Sequence, residues 1–404
     1  VFAFGGLLPG CDVSGHTEPA ATAGATRAAS GGGGQSTAGG PSVAGAPAGG
    51  GGSGADATGG AATGSLAAKY AEFFPIGAAV SDRALDDFQA LLAQDFNHLT
   101  CEYQMKIAMI HPAEDTYAWE ETDRVADFAR QHGMKLTGHT LLWHRDVPAW
   151  MFAGVTAGDA ASLELLKTRL KAHIEAVVDR YADVVDNWDV VNEALSDDKA
   201  KQYRDGPEGS KWFELFGSEE YIYWAFKFAK DALEAKAAGS SAGKLYYNEY
   251  TATTKADKML KMLAWLKDQK GITIDGVGFQ SHEVMTWPSP TEIQVAIDKF
   301  KSAGYKVKIS ELDVSMYNDY STGTFVASPA IEFTADVAAK QAKRYADLFR
   351  VYRANKDVIT SVTLWGVSDE QSWLTDSVPG RADFPLLYDA QHMPKPARAA
   401  ILEF

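Results

Sequence analysis

Two glutamates stand where apolar strands should end. In "NWDVVNEAL", residues 187–195, Trp188, Val190 and Val191 read as a buried strand that runs into Asn192 and Glu193. In "YKVKISELDVSMY", Val307 and Ile309 lead to Glu311 and Asp313, 118 residues beyond Glu193 (311 minus 193). A carboxylate buried there without a partner costs several kcal/mol or is driven to a higher pKa. One strand-end glutamate is ordinarily solvated or salt-bridged. Two of them, flanked by Asn, Asp, His and Trp at neighbouring strand ends, suit glycoside hydrolysis, in which one carboxyl protonates the departing oxygen and the other attacks C1 or activates water.

Such a pair works only if the fold brings distant strand ends together. From about Tyr70 onward, short apolar runs alternate with helical patterns: "FFPIGAAV", "HLTCEY", "KLTGHTLLW", "VVDNWDVVNE", "KLYYNEY", "GVGFQSH", "KVKISELDV" and "VITSVTLWGV". Between the third and fourth runs, Leu163, Leu166, Leu170, Ile174, Val177 and Tyr181 keep the spacing of one helix face. Eight strands alternating with helices predict an α/β fold, a (β/α)8 TIM barrel, in which polar residues at the C-terminal strand ends share one rim. A doubly wound open sheet is the alternative. It lacks support from a glycine-rich phosphate fingerprint after the first run.

Composition narrows the ligand. With 38 Lys and Arg against 53 Asp and Glu, the formal charge is −15, which disfavours nucleic acid and anionic membranes as partners. A neutral or cationic ligand fits better, and the 10 tryptophans exceed what a core of this size needs. Trp188, Trp212, Trp224 and Trp265 read as core, and Trp365 and Trp373 as a sugar-stacking wall. The interval from His139 to His144 is no zinc spacing, and no metal or cofactor is expected. Cys101 reads as a small buried hydrophobe.

The N-terminal part is of another kind. Of 37 glycines, 20 fall in residues 1–64, and the near absence of bulky apolar residues from about 15 to 64 predicts a flexible linker. The division expected is a signal-like remnant over 1–14, the linker over 15–64 and the catalytic barrel over 65–404. Leu8-Pro9-Gly10-Cys11 resembles a bacterial lipobox, with proline at an atypical position. The readings that stay open are a lipid anchor on Cys11, a nulled cleavage site and an ordinary export signal. The N-terminal segment is expected to place the protein outside the cytoplasm, secreted or at the cell surface, and a monomer is expected.

The ordered motifs "FNHLTCEYQMK", "GHTLLWH", "WDVVNEAL", "LYYNEY", "GVGFQSH", "ISELDV", "TLWGVSDEQSW" and "PLLYDAQHMPKPA" resemble those of the glycoside hydrolase family 10 xylanases over about residues 70–404. The resemblance implies the barrel and internal cleavage of β-1,4-xylan with retention of configuration. It implies Glu193 as acid/base, Glu311 as nucleophile and Asn192 as the partner of the sugar 2-OH. His282 and Asp313 match the residues that hold and polarise the nucleophile, and Gln280 lies near it. His139, Trp143 and His144 match contacts around the reacting sugar, Glu102 and Lys106 match polar contacts on the glycone side, and Trp365 and Trp373 match the aromatic wall. Retention requires carboxyl groups about 5 to 5.5 Å apart. The charge of Glu311 is expected to raise the pKa of Glu193 until Glu311 is esterified, after which Glu193 serves as a base.

Three positions depart from the family pattern. Tyr103 stands where Asn is usual, Asp146 where Gln is usual, and Glu249 replaces the Asp of "YNDY". The first two exchange amides on the glycone side for a phenol and a carboxylate, so the same chemistry on mixed-linkage glucan or short xylooligosaccharides is the nearest alternative. A non-catalytic carbohydrate-binding protein is the alternative of another class.

Overall fold

The apolar runs become parallel strands because each is followed by an amphipathic helix that must cover an apolar sheet face. In the computed structural model, which describes residues 64–206, 209–236, 243–317, 330–377 and 381–403, these strands are β1 (Ile76–Val80), β2 (His98–Cys101), β3 (Lys135–His139), β4 (Val185–Asn192), β5 (Lys244–Glu249), β6 (Gly276–Phe279), β7 (His282–Val284), β8 (Lys306–Ser315) and β9 (Ile359–Leu364). Cys11 and nearly all of the glycine-rich tract lie outside the described residues.

Every strand pairing is parallel. The order runs β6-β5-β4-β3-β2-β1-β9-β8, and β6 also pairs with β8, aligning Gly276 with Lys306 and Phe279 with Ile309, which closes the sheet into a barrel. The sixth run is therefore two strands. Ser281, at φ 59°, interrupts it, and the short β7 continues alongside β8.

Outside the barrel, the helix Ala160–Tyr181 is capped by the Asp159 side chain on the Ser162 N–H and buries Leu166, Leu170, Ile174, Val177 and Tyr181 as the spacing predicts. Leu163 is only half-buried. Inside the barrel, polar groups pair with each other: Lys308 Nζ lies 2.9 Å from Asp189 Oδ1 and 2.7 Å from Asn187 Oδ1. Cys101 is fully buried, as its setting suggested. Trp188 and Trp212 are core, but Trp224 and Trp265 are only half-buried. They lie on outer helix faces, where Lys167 and Lys270 cover their rings at 4.5 and 5.5 Å, a placement that suits a large ring with one wet side.

Candidate active site

Strand alternation alone does not aim the two glutamates. On β8, Lys308 and Ser310 point to interior partners, so strict alternation would send Glu311 outward. A register shift between Ile309 and Leu312 reverses the parity and turns Glu311 and Asp313 to the rim. On β4, Asn187 and Asp189 face inward, a shift falls between Asp189 and Val191, and Asn192 then faces the site. Glu193 follows at φ 55°. Thr251 and Ser281, just beyond strand ends, and Asp146, in the loop after β3, also have positive φ, and such strain gathers where geometry is held for function.

A chain of side-chain amides connects the carboxylates. Gln280 Nε2 donates to Glu193 Oε1 at 2.8 Å and to Asn192 Oδ1 at 3.2 Å. Asn248 Nδ2 donates to the same Asn192 oxygen at 3.0 Å and to Glu311 Oε1 at 2.6 Å. Asn192 Oδ1 thus accepts from both sides, and its NH2 is the edge it can offer elsewhere. Trp143 Nε1 donates to Glu193 Oε2 at 2.9 Å. The other oxygen of Glu311 lies 3.3 Å from His282 Nε2, while His282 Nδ1 is 2.9 Å from Asp313 Oδ2, which also accepts from Trp373 Nε1 at 2.9 Å.

Burial would lower the pKa of His282, yet the charge and hydrogen bond of Asp313, followed by those of Glu311, raise it to about 10. At neutral pH a cation therefore sits between two carboxylates. Trp365 meets the edges of His139 and His282 at 5.4 and 6.3 Å, and Trp373 meets His282 at 4.9 Å.

The expected elevation of Glu193 is corrected. Burial pushes its carboxyl up, but the charges of His144 and Arg204 and the hydrogen bonds from Gln280 and Trp143 outweigh that and bring it to about 2. Burial lowers His144 itself to about 3, so at neutral pH the ring is uncharged and its share of the depression is absent. What remains are the charge of Arg204 and two donors, Gln280 and Trp143, that a neighbouring ligand can compete with or reinforce.

The glycone-side residues form a second cluster joined to the first through Trp143. Lys106 Nζ lies 4.7 Å from the ring centres of both Tyr103 and Trp143 and 3.6 Å from Asp146 Oδ2. Burial pushes Glu102 up to about 7, opposed by a hydrogen bond from Tyr103 and by Lys106, with the charge of Glu311 adding to the rise. His139 stands one layer deeper, its Nδ1 3.1 Å from Asp189 Oδ2. His144 packs edge-on to Trp143 at 5.6 Å.

Sequence reasoning quoted Asn248 within "LYYNEY" without giving it a place in the site. The missed signal was its position at the end of the fifth run, like Asn192 at the end of the fourth. Gly278 makes its reach possible: a Cβ there would lie 2.1 Å from Asn248 Oδ1. Arg204 was also missed. It comes from the loop after β4, and its Nε donates to the Glu193 carbonyl at 2.9 Å, a contact that no spacing announces.

Fold and site define a (β/α)8-barrel enzyme with paired glutamates at its working rim. A family model described as glycosyl hydrolase family 10 matches residues 65–404, and the chain belongs to that family. The endo-1,4-beta-xylanase A of Caldicellulosiruptor saccharolyticus is 40% identical over 345 residues, covering 84% of this chain and 96% of its own. The beta-1,4-xylanase of Dictyoglomus thermophilum is 38% identical over 346 residues, covering 84% and 91%. Among solved structures, the endo-1,4-beta-xylanase of Caldicellulosiruptor owensensis matches at TM-score 0.76 and 39% identity over 84% of this chain and all of its own. A mutant in complex with xylotriose matches at TM-score 0.74 and 41% identity, over 85% of this chain and all of its own.

Proposed function

We propose that this protein is a retaining endo-β-1,4-xylanase. The observation that carries the reading is the amide chain from Glu193 through Gln280, Asn192 and Asn248 to Glu311, which holds two carboxyl groups in fixed relation across a rim. The names of the relatives supply the substrate, xylan.

In the first step the Glu311 carboxylate bonds to C1 of the sugar while the C1–O bond to the leaving chain breaks and Glu193 gives its proton to that oxygen. In the second, water bonds to C1, Glu193 takes the water's proton, and Glu311 departs as a carboxylate. His282 orients Glu311 through its Nε2, 3.3 Å from the carboxylate. Asn192, its carbonyl already committed, has an NH2 to donate to a sugar hydroxyl. Glu193 must carry a proton to begin, so the bound chain has to relieve its depression, by drawing the Gln280 and Trp143 donors to sugar oxygens and by deepening desolvation.

The test is product release from glucuronoxylan, arabinoxylan, mixed-linkage glucan and short xylooligosaccharides, beside Glu311→Gln. Cleavage of polymeric xylan to mixed oligomers, abolished in the variant, is expected; xylan left intact would overturn the substrate assignment. A second reading, preference for another β-1,4 glycan or for short xylosides, draws on Lys106 being engaged by Tyr103, Trp143 and Asp146. It predicts that glucan or short oligomers are cut while polymeric xylan is not. Secretion or cell-surface display is proposed from the N-terminal sequence.

A further inference from the structure

We propose that Glu249 is a positioning residue for the acid half of the reaction, holding the Glu193 carboxyl in place through the backbone that carries it. The proposal rests on the assignment of Glu193 as acid/base.

Glu193 has φ 55°, a conformation that residues other than glycine rarely keep unless their surroundings impose it. Four hydrogen bonds impose it here. The Glu193 N–H donates to the Asn248 carbonyl at 2.9 Å, and the Glu193 carbonyl accepts from Arg204 Nε at 2.9 Å. The Ala194 N–H donates to the Tyr247 hydroxyl at 2.9 Å, and the Leu195 N–H donates to Glu249 Oε2 at 3.3 Å. Three of the four partners are consecutive residues of β5, so the end of one strand serves as the template for the turn that ends the other.

Within that template Glu249 holds two amides. It accepts from Leu195 directly, and it accepts the hydroxyl proton of Tyr247, whose oxygen is already occupied by Ala194. Its remaining oxygen receives Lys255 Nζ at 2.9 Å, and Lys255 lies 2.8 Å from Asp197 Oδ1. The side chain is wholly buried and none of its hydrogen bonds is to the other groups of the sugar-facing rim, so its contacts reach the reaction through the turn, with the repulsion between its carboxyl and that of Glu193 beside them. This is also a position where the chain departs from the family's usual Asp. The longer Glu side chain spans Leu195, Tyr247 and Lys255 at once.

Loss of this hold should misplace the proton donor without touching the nucleophile. The diagnostic is leaving-group dependence, because a dinitrophenyl group departs without a proton whereas an unactivated sugar or phenol requires one. In Glu249→Gln, kcat/KM on xylooligosaccharides and on phenyl xylobioside should fall by roughly 10- to 100-fold with KM nearly unchanged, within the roughly 10²- to 10⁴-fold reach of general acid catalysis. On dinitrophenyl xylobioside, kcat/KM should fall by no more than about threefold, since no proton transfer is needed. Equal losses on all substrates, or no loss on any, would overturn the proposal. Should Glu249→Gln fail to fold, Tyr247→Phe keeps the ring and removes the hydroxyl between Ala194 and Glu249, and it should show the same selectivity. An unsubstituted enzyme inactive on every one of these substrates would overturn the glycosidase reading, and this proposal with it. A uniform loss beside an active unsubstituted enzyme overturns this proposal alone.

Discussion

His282 sets the charge balance of the site. Its ring lies between Glu311 and Asp313 with the pKa raised to about 10, well above the unfolded value of about 6.5. Below about pH 6.5 both folded and unfolded chains hold the proton, and the stabilisation from the two ion pairs is fully present. As pH rises past that value the unfolded chain loses its proton first, so stability falls until the folded-state pKa near 10 is passed. Denaturant unfolding measured from pH 6 to pH 10 should therefore fall more steeply for the native protein than for His282→Gln; parallel profiles would exclude a charged His282. The residue types of this constellation were legible in sequence, because Glu, Asn, His and Asp at strand ends are costly unless they serve one another. The state of Glu193 was not, because burial raises its pKa while Arg204, Gln280 and Trp143 lower it, and these converge on it from separate segments.

At the level of elements, the site depends on interruptions of regular structure. Regular β4 and β8 would place Asn192 or Glu311 on the wrong face; the register shifts at Asp189/Val191 and Ile309/Leu312 correct the parity. The αL break at Ser281 lets Gln280 reach Glu193 while His282 reaches Glu311. Gly278 belongs to the same set, because it clears a path for Asn248. Gly278→Ala should cost about 1–3 kcal/mol in unfolding free energy, as overpacking does. It should also lower kcat through the displaced Asn248–Glu311 hydrogen bond. A variant with native stability and native kcat would show that the strand yields instead. The strands themselves were readable from apolar runs and the helix Ala160–Tyr181 from its periodicity. The shifts were not, since a bulge has no compositional signature when its residues are as apolar as their neighbours.

For the whole molecule, closing the barrel makes residues far apart in the chain into neighbours. At the end opposite the glutamates, just before β2, Asp95 receives Arg398 through Nε and Nη2, both at 2.8 Å and across 303 residues of sequence. Both side chains are buried, and Asp95 also accepts from the Leu66 N–H at 2.9 Å and from the Tyr388 hydroxyl. Removing one partner strands a buried charge, so Arg398→Ala should lower stability by about 3–5 kcal/mol and leave kcat on xylan as it was. A loss below about 1 kcal/mol, the range of exposed ion pairs, would show that water reaches Asp95.

By itself the amino-acid sequence determined the strand and helix alternation, the barrel, the family and the pair of glutamates. Those features are written in local apolar periodicity and in polar residues placed where a strand must end. Only the tertiary structure decided which amides join the carboxylates, in which direction His282 and Glu193 are shifted, and how Glu249 comes to support Glu193. These depend on register shifts, on αL turns and on fields summed from residues that meet only when the barrel closes.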